Sequence, residues 1–255
     1  MLFLSNISDF KTHYTLKTTY IQIKQALFSL ADEQKREFLP YFFKTGEGQY
    51  GYGDKFIGVV VPKQRSLVKQ YKTLEISEIE KLLNDEYHEC RLTALLFLVE
   101  KFKQTKEDIE QQKNIYDFYI CNYQRINNWD LVDLSAPNIV GEFLLNKPAN
   151  ELLQYANSNN LWLQRISIIA TLRFIRSKRF DKTFEVATIL LNHPHDLIHK
   201  AVGWMLREVG KMDYNAEYQF LIEEKRYQKM PRTMLRYAIE KFSENIRQNF
   251  LKGIV

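Results

Sequence analysis

Leu161-Trp162-Leu163-Gln164-Arg165-Ile166-Ser167-Ile168-Ile169-Ala170-Thr171-Leu172-Arg173-Phe174-Ile175-Arg176 decides how this chain folds. Wound as an α-helix, the run shows two apolar faces on opposite sides. Leu161, Ile168, Leu172 and Ile175 form one, and Leu163, Ile166, Ala170 and Phe174 form the other. A helix on the surface of an ordinary domain needs one apolar stripe; two stripes require a neighbour on either side, which is the situation inside a stack of repeats. Between the faces run Trp162, Arg165, Ile169, Arg173 and Arg176, a basic stripe with one tryptophan.

Working outward, helical patterning fills most of the chain. The spacing predicts helices over 18–31, 32–43, 63–71, 77–83, 86–103, 106–123, 129–145, 149–155, 183–191, 195–211, 215–224 and 232–242, with 243–252 a further candidate. Polar turns between them are short, and only 9 Gly and 6 Pro in 255 residues argue against a turn-rich all-β protein. The one β-branched run, 56–62, ends in Pro62, which suits the first turn of the next helix. These features predict an all-α fold: an α-solenoid of degenerate HEAT-like helical repeats with a concave basic groove, forming one domain over 1–255. Gly46, Gly48 and Gly51 formally match a dinucleotide-binding fingerprint. A helix precedes them and no βαβ unit follows, so 46–53 reads as a flexible or ligand-facing loop.

Composition narrows the class. A hydrophobic content of 45% with 26% charged residues is that of a soluble globular chain. Met1 to Leu4 is followed by polar residues and lacks the apolar run of a signal peptide, and the longest apolar run, 92–99, is far too short to span a bilayer. The expected location is the cytoplasm, and the expected state a monomer. Cys90 and Cys121 have no C-x-x-C spacing, and His195 and His199, although one turn apart, lack a suitably placed acid. No metal and no other cofactor is expected. The excess charge is local: residues 161–211 hold nine Lys and Arg against four acids, an excess equal to the +5 of the whole chain. A concentrated basic region points to a polyanionic partner, with solvated surface cations as the plain alternative.

Two further segments carry candidate chemistry. In Asn127-Asn128-Trp129-Asp130-Leu131-Val132-Asp133, helical spacing stacks Trp129 and Asp133 one turn apart, an apolar wall beside a carboxylate able to orient water. Pro137 cannot donate to the carbonyl of Asp133, so the helix is expected to kink or restart there. The alternative is a core tryptophan with a capping aspartate or serine. In 195–211, the residues Ile198, Ala201, Val202, Met205, Leu206 and Val209 supply a complete buried stripe. Trp204 is off it, beside Lys200, Arg207 and Lys211, where a sugar-phosphate backbone could pack; a neighbouring helix is the other possible occupant.

Asn128-Trp129-Asp130-Leu131-Val132-Asp133, Leu161-Trp162-Leu163-Gln164-Arg165 and Lys200-Ala201-Val202-Gly203-Trp204-Met205-Leu206-Arg207-Glu208 resemble, in order and spacing, three segments of the AlkD family of bacterial DNA alkylation repair enzymes. The resemblance implies a HEAT-like solenoid that holds duplex DNA and removes N3- and N7-alkylated purines. It implies that Trp129 and Asp133 face the deoxyribose, that Trp204 packs on it, and that Arg165 and Arg207 contact the backbone. Trp162, Arg173, Arg176 and Lys200 complete the expected DNA-binding set. Some members carry a second tryptophan where Asn128 stands, and some lack the 46–53 loop. The family acts on the sugar without a pocket for a flipped base. A non-catalytic HEAT-like module that binds DNA structures or scaffolds proteins is the alternative, and a fold holding Trp129, Asp133 and Trp204 far apart would favour it.

Overall fold

The computed structural model describes residues 17–255; the reading of Met1 to Leu4 lies outside them. Seventeen α-helical segments follow in chain order: α1 (Tyr20–Ser29), α2 (Glu33–Phe42), α3 (Val61–Gln70), α4 (Ile76–Leu83), α5 (His88–Gln104), α6 (Ile109–Cys121), α7 (Trp129–Ala136), α8 (Glu142–Leu144), α9 (Asn150–Ala156), α10 (Leu161–Ala170), α11 (Leu172–Arg176), α12 (Asp181–Ile189), α13 (Asp196–Met212), α14 (Tyr214–Ile222), α15 (Arg226–Lys229), α16 (Arg232–Ala238) and α17 (Glu244–Lys252). Local sequence sets many of their starts. Side chains of Thr19, Asp32, Asp108, Asn128, Asn160, His195 and Asp213 each accept a backbone N–H at a helix N-terminus.

The helices form an α-solenoid in two rows. One row runs α5, α7, α10, α13, α16, each packed on the next, while α4, α9 and α14 lie against α5, α10 and α13 from the other side. The double-faced pattern of 161–176 follows from this: Ile166, Ile168, Ala170, Phe174 and Ile175 are all buried between neighbours. Close approach within the row has its own requirement. A Cβ on Gly203 of α13 would come within 2.4 Å of the Met234 carbonyl of α16, so only glycine fits that crossing.

Three local features differ from, or sharpen, the sequence reading. The 161–176 helix is interrupted at Thr171, whose hydroxyl donates to the Ile168 carbonyl at 2.6 Å. The expected disturbance at Pro137 takes the form of a π-helical turn, Pro137–Gly141, which absorbs the missing amide donor. The β-branched run finds no sheet: the backbone N–H groups of Ile57, Gly58 and Val59 donate to the buried Glu89 carboxylate at 3.0, 2.8 and 3.2 Å. Among the described residues, no helix is long and apolar enough to cross a membrane.

Candidate functional site

Helix α7 is fixed from beneath by a buried polar network. Asp130 is turned into the protein and pairs with His88 Nε2 at 2.8 Å; His88 Nδ1 lies 3.3 Å from Asp54, whose other oxygen meets Arg91 at 2.7 Å. Burial by itself disfavours the imidazolium, but the Asp130 carboxylate and the hydrogen bonds to Asp130 and Asp54 outweigh it and raise His88 to about 9. Asn128 completes the mounting, accepting from the Trp129 N–H at 2.8 Å and reaching toward Asp54 at 3.4 Å. Asp130 is held inward, and Trp129 and Asp133, close to it on α7, line the adjoining cavity.

Asp133 is gripped by Arg165 of α10. Nε and Nη2 of the guanidinium donate to the two carboxylate oxygens at 3.0 and 2.8 Å, and Nη1 donates to the Leu197 carbonyl at 2.6 Å. Arg165 is 4% exposed. It is therefore not a surface cation waiting for phosphate, as the wheel of 161–176 suggests; its planar fork fixes the Asp133 carboxylate. Burial raises the Asp133 carboxyl above the usual carboxylate range, while the Arg165 guanidinium pulls the other way. A carboxylate has about four lone-pair sites, so Arg165 leaves Asp133 free to accept from water or substrate.

Trp129, Asp133, Arg165, Lys200, Trp204 and Arg207 all line one cavity of about 420 Å³. Trp204 sits off the buried stripe of α13, partly exposed, its indole N–H donating to Glu208 at 3.0 Å. Lys200 pairs with Asp196, and Arg207 with Glu240. The remaining three sequence candidates are placed elsewhere. Trp162 is almost buried and meets Tyr50 edge-to-face, so it supports the wall and does not form its surface. Arg173 is tied to Glu142, and Arg176 is exposed near the end of α11; neither lines the cavity.

The 46–53 loop, which the sequence marks as flexible or ligand-facing, contributes a residue that reading does not name. It carries Tyr50 into the cavity, and Lys44, just before it, lines the same space. Gly51 is pressed against the Phe43 and Lys44 carbonyls, where a Cβ would stand 2.5 Å from the former. Burial raises the Tyr50 phenol above its ordinary range. Tyr237 of α16 closes the rim. The glycine spacing marked a turn, but no periodicity assigns a loop tyrosine to a groove formed by distant helices.

An aspartate locked by arginine, in a cavity shared with two tryptophans on the row of an α-solenoid where cations gather, defines a helical-repeat protein with a carboxylate site ringed by cations. The chain belongs to the DNA alkylation repair enzyme family, whose pattern it matches over residues 23–242. Its fold is similar to that of a predicted DNA alkylation repair enzyme from Enterococcus faecalis, with a TM-score of 0.65 and 16% identity, over 84% of this chain and 97% of that one. No curated protein matches it. Membership places the chain among enzymes of DNA alkylation repair, with DNA as the implied substrate.

Proposed function

We propose that this protein is an alkylpurine DNA N-glycosylase, acting on duplex DNA that carries N3- or N7-alkylated purines. The observation that carries the reading is the Asp133 carboxylate, held by Arg165 and flanked by Trp129 and Trp204 in a cavity also lined by Lys44, Lys200 and Arg207. An N3- or N7-alkylated purine already bears positive charge. The C1′–N bond can break with its electron pair going to the base, which leaves neutral and needs no acid to protonate it, unlike an ordinary glycoside leaving group. Asp133 stabilises the positive sugar and orients the water that bonds to C1′; the water's proton passes to the carboxylate and then to solvent. Trp129 and Trp204 pack against the deoxyribose, and the cations hold the adjoining phosphates. Arg165 acts through Asp133 as a positioning residue.

The direct test is to incubate the protein with methylated duplex DNA and measure free 3-methyladenine and 7-methylguanine. Their release, lost with Asp133→Asn, is the expected result. Binding of DNA with no base release would overturn the reading and leave a DNA-structure-binding module in its place.

A further inference from the structure

Helix α2 carries its apolar stripe on the outside. Phe38, Tyr41 and Phe42 recur at i, i+3 and i+4, the spacing that ordinarily turns one face of a helix into the core. Here they are 60%, 79% and 49% exposed, and no residue of α2 is buried. The rings form a ridge that runs up to the site: Phe38 stacks on Phe42 with centroids 6.1 Å apart, and Phe42 meets the Trp129 indole edge-on at 5.7 Å. Both ends of α2 are pinned. At its start, Gly58, with a φ of +93°, is pressed against the Asp32 carbonyl, where a Cβ would stand 2.1 Å away. At its end, Phe43 is buried and stacks on both Phe56 and Trp129, at 5.2 and 5.4 Å. An aromatic stripe held in the open by fixed ends marks an interaction surface.

Two observations identify the occupant. The ridge is continuous with the carboxylate site, because Phe42 lines the same cavity as Asp133, Lys200 and Trp204, so whatever covers the ridge adjoins whatever enters that cavity. Charge is balanced along α2: Glu33 and Glu37 stand against Lys35 and Arg36, which gives no net attraction for phosphate. The ridge therefore suits the uncharged parts of a duplex. The C1′ atom and sugar edge of each nucleotide open on the minor groove, so a carboxylate that reaches C1′ with the base still stacked approaches from that groove. Its far wall is the sugar row of the complementary strand. We propose that the α2 ridge packs on those sugars, holding the duplex between α2 and the Trp129, Asp133 and Trp204 site. The proposal rests on the glycosylase reading and deepens it by naming what holds the unmodified strand. Phe38 and Tyr41 offer ring faces to deoxyribose and read no base. The contact exists only when both strands are present, so it selects duplex over single-stranded DNA, and it displaces no counterions, so it adds affinity without salt dependence.

Replacing Phe38 and Tyr41 together by alanine tests it without touching the carboxylate, the cavity cations or a buried side chain. Ile109→Ala on α6, 72% exposed and outside the cavity, is the control. Binding of a labelled duplex, and of its labelled strand alone, would be measured by fluorescence anisotropy over a salt series, with denaturant unfolding of each protein alongside. The Phe38→Ala, Tyr41→Ala protein should unfold at the wild-type midpoint and bind the duplex about tenfold more weakly. Its affinity for the single strand and its log–log salt slope should match the wild type's. Tyr41→Ala alone should show a smaller loss of the same kind, and Ile109→Ala none. Level duplex affinity overturns the assignment. An equal loss on the single strand also overturns it, by making the ridge a stacking platform for bases; so does a flattened slope, which would mean that the rings act by holding Lys44 over a phosphate. The two readings fail separately: base release by a protein whose duplex affinity ignores Phe38 and Tyr41 removes only the α2 contact, and a duplex-specific loss without base release removes only the glycosylase.

Discussion

Asp133 is an anion set where a polyanion would bind, and that placement separates its effect on binding from its effect on chemistry. In the ground state it repels phosphate; only as positive charge develops on the sugar does it become favourable. Asp133→Asn keeps the shape and removes the charge, so release of alkylated purine should fall on the order of 10²-fold or more while duplex affinity stays level or improves. Unchanged release would return Trp129 and Asp133 to core and cap. Arg165 gives the complementary case. Arg165→Lys retains a cation but loses the two parallel bonds to Asp133 at 3.0 and 2.8 Å, so kcat should drop about tenfold or more with little change in affinity. A loss confined to affinity would restore the surface role suggested by the helical wheel. That wheel located Trp129, Asp133 and Trp204 as candidates because i, i+4 spacing and a complete apolar stripe are properties of one helix. It could not place Arg165, whose partner is 32 residues away and arrives only when α7 packs on α10.

Helices act on the site through their mounting. The two-faced pattern of 161–176 was enough to announce a stack, and Pro137 to announce a disturbance, since both depend on local geometry. The break at Thr171 comes with a side-chain bond to the carbonyl three residues back, and the entry of Tyr50 into the cavity comes from the packing of segments distant in sequence, so no periodicity signals either. The mounting of α7 has a titratable part. His88 is raised from 6.5 in the unfolded chain to about 9 in the fold, so its contribution is complete below pH 6.5 and is lost as pH rises through 9. That window is worth on the order of 3 kcal/mol. Denaturant unfolding should show stability falling across it, with His88→Gln less stable at pH 6 and flatter between pH 6.5 and 9; an NMR titration placing His88 near or below 6.5 would refute the assignment. Packing of α13 on α16 makes a second demand. Gly203→Ala drives a Cβ into the Met234 carbonyl and to 2.6 Å from Tyr237 Cβ, so it should cost about 1–3 kcal/mol in unfolding free energy and reduce base release by displacing Trp204 and Tyr237. A fully stable Gly203→Ala protein would show that the crossing can relax.

Across the whole molecule, charge is distributed unequally, and the sequence shows where but not how much of it is available. Residues 161–211 carry the excess, yet many of those cations are already spoken for: Arg165 by Asp133, Arg173 by Glu142, Lys200 by Asp196 and Arg207 by Glu240. Lys44, outside that segment, lines the cavity and has no carboxylate partner among the described residues. Exposed pairs such as Lys200–Asp196 are weak, so a phosphate can replace the carboxylate at little cost, whereas the buried Arg165–Asp133 pair is not exchangeable in this way. DNA affinity should accordingly depend on the few cations rimming the cavity and not on the formal total. With about three phosphates neutralised, by Lys44, Lys200 and Arg207, affinity should fall by one to two orders of magnitude between 50 and 200 mM salt. Lys44→Ala and Lys200→Ala should each flatten the log–log slope by about one unit, equally on every duplex sequence. Arg173→Ala should leave the slope unchanged, because that guanidinium is paired away from the cavity. A slope that responds to Arg173 and not to Lys44 would place the DNA track on α11 and detach it from the carboxylate.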